Sequence, residues 1–339
     1  MIERKRYDAI DGLRAFSAIG IVLMHVWANG KYDIGGFVVN RLIQSFTNLV
    51  FLFMIISSFA MCCGYYEKVI SNQISIENFY KNRYARIWPY FAFLCLLDLC
   101  ISPSFNSLYE VFANLTLCFG LLPNANIEVI GVGWYLGLIF VFYLIFPFFC
   151  FLLADKRRAW LALVVAFAFN LLCGIYFIEA GRTNIVYSMV YLMAGGLIFL
   201  YRDELSELAD RYRCFVLVLC LVAALVYFFM TETLTMLILF SLLLIYSIGV
   251  KNEGVLLNPI TKFLSGISME IYLCHMVVYR VIEKLRLTHM FASDVISYII
   301  AAIGTIIGAV FFAKVTQWLL AQGHTVIKKK VMTENSQRR

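Results

Sequence analysis

Charge is what this sequence has least of. Asp, Glu, Lys and Arg supply 14% of its 339 residues, and 62% are hydrophobic. A soluble domain is about a quarter charged and about half apolar, so a water-soluble globule is excluded. No long polar stretch is present that could form a separate soluble domain. The ten cysteines include no C-x-x-C pair and no Cys/His ligand cluster. Most lie in apolar runs (Cys62, Cys63, Cys95, Cys118, Cys150, Cys173, Cys220, Cys274) and read as small packing residues, so no metal is expected. There is no internal repeat and no matched pair of interrupted helices of the inverted-repeat transporter type. The net charge of +7 follows topology and does not point to nucleic acid.

What is present is hydrophobic length. Runs near 10–28, 42–64, 87–101, 132–153, 159–178, 185–201, 214–230, 233–250, 263–282 and 294–321 are candidate membrane spans. A basic start followed by an apolar run resembles a signal peptide. Arg14 inside the run, and the lack of a small-residue cleavage site, point instead to a retained first span. The run Leu108–Leu122 is short and holds Glu110 and Asn114. If it does not cross, and the N-terminus is cytoplasmic, the inner segments hold 20 of the 28 Lys and Arg and the outer segments five. The other three (Arg14, Arg280, Lys314) fall within spans. If it crossed, Lys156-Arg157-Arg158 and Lys328-Lys329-Lys330 would face outward, against the positive-inside rule. The expectation is an all-α polytopic membrane protein of ten helices around an internal cavity, with both termini cytoplasmic. Residues 1–321 form one domain, 322–339 a basic disordered tail, and Leu108–Leu122 a re-entrant or interfacial helix.

Polar residues inside a bilayer are costly and mark sites. In IDGLRAFSAIGIVLMHVW (10–27), Arg14 and His25 are eleven residues apart, nearly the same helix face. His25 then lies roughly 16 Å deeper than Arg14. Asp11 can pair with Arg14 one turn away, and Ser17, Ala18 and Ile21 leave room along the stripe. In NFYKNRYARIWP (78–89), Arg83 and Arg86 share a face at the cytoplasmic start of the third span. Two guanidiniums there suit phosphate or pyrophosphate; the plain alternative is a lipid-facing positive flank. In SGISMEIYLCHMVVY (265–279), Ser268, Tyr272, His275 and Tyr279 form one polar stripe. His275 falls at a depth similar to His25, while Glu270 lies on another face. Trp134 sits where aromatic belts are normal. Asp98 and Asn170 are intramembrane polar groups with no assigned role. Phosphate-binding arginines at one end and imidazoles deep within fit a ligand with several phosphates and a long thin arm, which is the shape of coenzyme A. An acceptor hydroxyl could reach a neutral imidazole base from the opposite side.

These blocks resemble the membrane acyltransferase-3 family, which includes bacterial cell-envelope glycan O-acetyltransferases. The Arg14…His25 spacing resembles its first-helix signature, and Arg83-x-x-Arg86-Ile87-x-Pro89 its basic motif. VFLFMIISSFAMCCGY (50–65) resembles its second helix, with Ser58 in place of a glycine. SMEIYLCH (268–275) resembles its late block, with Met269 in place of tyrosine. Trp134 and Leu136 match a further segment, but Ile139 and Phe140 stand where the family carries glutamates. A mechanism that needs a carboxylate there lacks its residue.

The resemblance implies an O-acyltransferase that moves a short acyl group, by default acetyl, from cytoplasmic acyl-CoA to a glycan or lipid-linked saccharide. The location implied is the bacterial inner membrane. His25 would be the catalytic base and His275 a second catalytic or supporting group. Arg14, Arg83 and Arg86 would bind the acetyl-CoA phosphates, with Asp11, Ser268, Tyr272 and Trp134 in support. The chain shows no fused esterase-like domain of the kind some members carry, so transfer would finish within the membrane domain or with a separate protein. Membrane lipids are the expected surroundings, and oligomeric state is left open. The alternative is a transporter or flippase of an anionic solute.

Overall fold

The computed structural model describes residues 7–101, 103–117, 119–121, 131–175 and 181–337, the part beyond 322 as backbone only. Every regular element among them is helical. α1 spans Ile10–Gly30, α2 Leu49–Ile70, α3 Ile76–Ile101 and α4 Phe105–Leu115. α5 spans Trp134–Leu153, α6 Lys156–Ile175, α7 Ile185–Leu200, α8 Arg202–Arg211 and α9 Arg213–Phe229. α10 spans Thr233–Gly249, α11 Pro259–Ser265, α12 Ser268–Lys284 and α13 Asp294–Gln337.

Six of these stretches are long and apolar enough to cross a membrane, or seven if the bent pair α7 and α8 counts as one. The apolar helices α7, α9, α10 and α12 are shorter, at 16, 17, 17 and 17 residues. At 1.5 Å per residue they reach about 25 Å, the lower end of what a bilayer core requires. The protein is therefore an all-helical, multi-pass membrane protein. The expected start of the third span at 87 needs correcting. α3 begins at Ile76, and Pro89 removes a backbone bond without ending the helix. α13 likewise continues as helix through Gln337, into the segment expected as a tail.

On α13 the burial pattern is inverted relative to a soluble bundle. The buried face carries Ala301, Ala302, Thr305, Ala309 and Ala313, while Ile303, Ile307 and Phe311 are exposed. Small residues let helices approach closely, and the large apolar ones meet lipid. The same logic seats α7 on α2. A Cβ added at Gly195 would lie 2.2 Å from the Ile55 carbonyl oxygen. Asn170, unassigned in the sequence, is a buried staple. Its Nδ2 donates to the Tyr187 carbonyl at 2.8 Å, and its Oδ1 accepts from Thr233 Oγ1 at 2.8 Å. It thus ties α6, α7 and α10 together.

α1 is the hub, packing against α2, α10, α11, α12 and α13. α4 does not cross. It folds back along α3, so that Trp88 Nε1 donates to the Leu115 carbonyl at 2.9 Å, halfway down that helix. The next helical turn, 119–121, brings Gly120 against the Gly137 carbonyl of α5. The Leu108–Leu122 segment, expected as a re-entrant or interfacial helix, thus packs back on α3 and α5, with Cys118 and Leu122 outside the described residues.

Gly195→Ala forces its methyl group into backbone, and overpacking of this kind destabilises by about 1–3 kcal/mol. Gly174→Ala, with nothing within 4 Å, should be neutral or stabilising. Thermal unfolding of both variants in detergent is the measurement. Equal melting temperatures would show that the α2–α7 contact is looser than described.

Candidate active site

A cavity of about 540 Å³ opens between α1, α2, α3, α5 and α12. Arg14, Arg83 and Arg86 all line it, so three guanidiniums from two helices share one space. Asp11 Oδ1 is 3.8 Å from Arg14 Nη1 and accepts a hydrogen bond from Ser265 Oγ at 2.8 Å. The pair therefore anchors the start of α1 to the end of α11. Arg83 is held by its surroundings. Its Nη2 donates to Tyr65 OH at 2.6 Å, and its guanidinium lies 4.4 Å from that ring and 5.9 Å from the Tyr143 ring. Its Nε is buried without a hydrogen bond. Neither Arg83 nor Arg86 has a carboxylate partner among the described residues. Arg14 is balanced by Asp11, and the two guanidiniums without a carboxylate partner leave this part of the wall suited to an anion.

The wall opposite the arginines is α12. Ser268 and Tyr272 line the cavity, as their shared face predicts. Glu270 lines it as well, although the helix-face argument placed it away from His275. Its Oε1 accepts from Gln317 Nε2 at 2.8 Å, which fixes it beside α13. Tyr65, Tyr135 and Tyr143 also line the cavity and were missed in the sequence, where aromatic residues are too common to stand out. Ile139 and Phe140 are both buried, with Ile139 in the cavity wall where a carboxylate was absent from the motif.

His25 and His275 meet, their ring centroids 5.1 Å apart. They do not line the cavity. Tyr272 stands between: it lines the cavity, and its ring lies 6.3 Å from Phe53 and 6.1 Å from His275. Its hydroxyl donates to the Val132 carbonyl at 2.9 Å, so the loop before α5 holds the ring in place. The tautomer of His275 follows from its partners. Nδ1 faces the carbonyls of Tyr272 at 2.7 Å and Ile271 at 3.3 Å, and a carbonyl only accepts. Nδ1 therefore carries the proton, and Nε2 is a lone pair. That Nε2 is fully buried with no hydrogen-bond partner, an arrangement that costs about 1–3 kcal/mol and calls for a reason. His25 is half-buried, and its ring forms no hydrogen bond among the described residues.

Trp134 is outside the cavity and contacts Tyr135, ring to ring, at 6.4 Å. Arg182, unnoticed in the sequence beyond its place in the charge count, lies 5.4 Å over the Trp134 ring. Its only sequence signal was being the single Lys or Arg between α6 and α7.

Fold and site together define a polytopic membrane protein with an internal cavity lined by three arginines and, behind Tyr272, a pair of contacting imidazoles. The sequence model of the acyltransferase-3 family, described as an acyltransferase domain, matches residues 7–314, and the chain belongs to that family. No curated protein and no solved structure matches it. It is a membrane acyltransferase.

Tyr272→Ala removes the ring between the cavity and His275. Diethyl pyrocarbonate, which acylates neutral imidazole, should leave His275 unmodified in the parent protein, where its exposure is 0%. It should modify His275 in the variant, as read by mass spectrometry of the peptide spanning 268–280. An unmodified His275 in the variant would show that Tyr272 is not the barrier.

Proposed function

We propose that the protein is an O-acyltransferase of the bacterial inner membrane that moves a short acyl group, by default acetyl, from cytoplasmic acetyl-CoA to a hydroxyl of a cell-envelope or exported glycan. The observation that carries this reading is the order of groups along one path: three arginines, then Tyr272, then His25 against His275. The phosphates of coenzyme A would lie among Arg14, Arg83 and Arg86. The pantetheine arm would run toward Tyr272 and present the thioester to His25. The cavity volume is within the usual range for a small-molecule site.

Transfer is direct in this reading. His25 takes the proton of the acceptor hydroxyl. The hydroxyl oxygen bonds to the thioester carbonyl carbon, the C–S bond breaks, and the proton passes to the leaving thiolate. The products are an ester and free coenzyme A. His275 contributes its buried Nε2 lone pair, which can accept an N–H from His25 and so leave the other His25 nitrogen free as base. The topology proposed with it has ten crossings: the six long helices plus α7, α9, α10 and α12, with both termini cytoplasmic. The charge distribution of the loops supports this orientation.

His25→Ala should lower acetyl transfer at least about a hundredfold while the protein remains inserted, since a positioned base contributes about 10²–10⁴. Mass spectrometry of envelope glycans from cells with and without the variant reads this; full acetylation in the variant rules out His25 as base. Arg83→Gln and Arg86→Gln should each raise the KM for acetyl-CoA roughly tenfold, because a charge-assisted hydrogen bond contributes about 1.5–3 kcal/mol. An unchanged KM in the double variant ends the phosphate assignment.

A further inference from the structure

Arg182 sits at the end of the bundle opposite the three-arginine cavity, just before α7. Two contacts hold its guanidinium and one its backbone. Nη1 donates to Thr47 Oγ1 at 2.8 Å. The guanidinium lies over the Trp134 ring at 5.4 Å. Its backbone carbonyl accepts from the buried Ser188 Oγ at 3.0 Å. Asn184, whose side chain caps the first turn of α7, holds the adjoining backbone. The residue is exposed, and its guanidinium is held at two points without gaining an ion pair. It forms no salt bridge among the described residues. Only one of its N–H donors is used there, out of the five a guanidinium carries.

Its position relative to the imidazoles is also defined. Rings pass in contact from Trp134 to Tyr135 at 6.4 Å, to Tyr272 at 5.5 Å, to His275 at 6.1 Å and to His25 at 5.1 Å. Arg182 lies within electrostatic reach of both His25 and Tyr272. A cation at the far end of the ring chain that leads to the imidazoles, with free donors and no ion pair among the described residues, is placed to receive an anionic group on whatever approaches from this end.

We propose that Arg182, held by Thr47 and Trp134, forms an acceptor subsite that binds an anionic group, carboxylate or phosphate, carried by the glycan that receives the acyl group. This rests on the acyl-transfer reading above and narrows its acceptor to acidic saccharides. Trp134 has two parts in it: it carries the guanidinium on one face, and it joins the subsite to the wall of the donor cavity through Tyr135. A lysine at position 182 would keep the charge but lose the planar fork that bonds an oxyanion in pairs.

The experiment compares cells producing the parent protein, Arg182→Gln, Arg182→Lys, Lys284→Gln as a charge control at the same end, and His25→Ala as the inactive reference. Envelope glycans are separated by anion exchange, and base-released acetate is measured in the retained and unretained fractions. The expected result is His25-dependent acetate in the retained fraction. It should fall at least tenfold in Arg182→Gln, fall less in Arg182→Lys, and stay unchanged in Lys284→Gln. The mass of the acetylated glycan then tells a uronate from a phosphate. Binding of acetyl-CoA by purified Arg182→Gln should equal the parent value, which separates loss of acceptor binding from misfolding. Acetate confined to neutral glycans, or parent-level acetylation by a folded Arg182→Gln, overturns the subsite and leaves the acyl-transfer reading standing. No His25-dependent acetate in any fraction overturns both.

Discussion

A guanidinium drawn into an apolar bundle must find an oxygen, and Arg14 finds one in Asp11. That pair does more than neutralise itself. Asp11 is also held by Ser265, the last residue of α11, directly before the two-residue break that precedes α12. The ionic contact near the start of α1 therefore sets how α12 lies beside it. At the other end of the same two helices His25 meets His275. A helix pair tied at one end by charge and touching at the other through imidazoles has little freedom to slide. Shifting α12 by one residue would turn Tyr272 out of the cavity and His275 away from His25, because successive side chains on a helix point about 100° apart.

The close packing around α1 and α2 makes that register affordable. Gly12 admits the Leu256 backbone, where a Cβ would lie 2.3 Å from its carbonyl oxygen. Gly195 admits the α2 backbone in the same way. Without a hydrophobic effect between lipid-facing surfaces, such close approach is what drives helices together in a membrane. Polar staples such as Asn170 then fix which helices meet.

The sequence showed those parts of the site that share a helix. Arg14 with His25, Arg83 with Arg86, and Ser268 with Tyr272 and His275 are each set by helical spacing, and each group lies together on its own helix. It could not show what depends on the distance between helices. Tyr272 and His275 share one stripe, yet one lines the cavity and the other is sealed behind it. Glu270 was set aside by its helix face, and the cavity curves round to include it. Arg182 belonged to no stripe, so no periodicity drew attention to it. Boundaries failed where charge hid continuity. Arg83 and Arg86 read as a flank before the third span, whereas α3 is already helical from Ile76 and carries them on its side.

Separation by a single ring has a chemical consequence under the proposed reading. A thioester beside a base hydrolyses if water reaches both. The cavity is lined by polar and apolar groups together, while His275 is wholly buried behind Tyr272. The Tyr272 ring, pinned by Val132, keeps those regions apart until something displaces it. Under that reading a thin acyl-carrying arm would have to pass beside one ring, with the apolar side chains of Phe53 and Leu273 also in the lining. Excluding water in this way strengthens the electrostatic help that fixed groups give a developing charge. If the acceptor hydroxyl reaches the base from the opposite end, as proposed, the groups that hold it there, rather than those in the donor cavity, would decide which acceptor is modified.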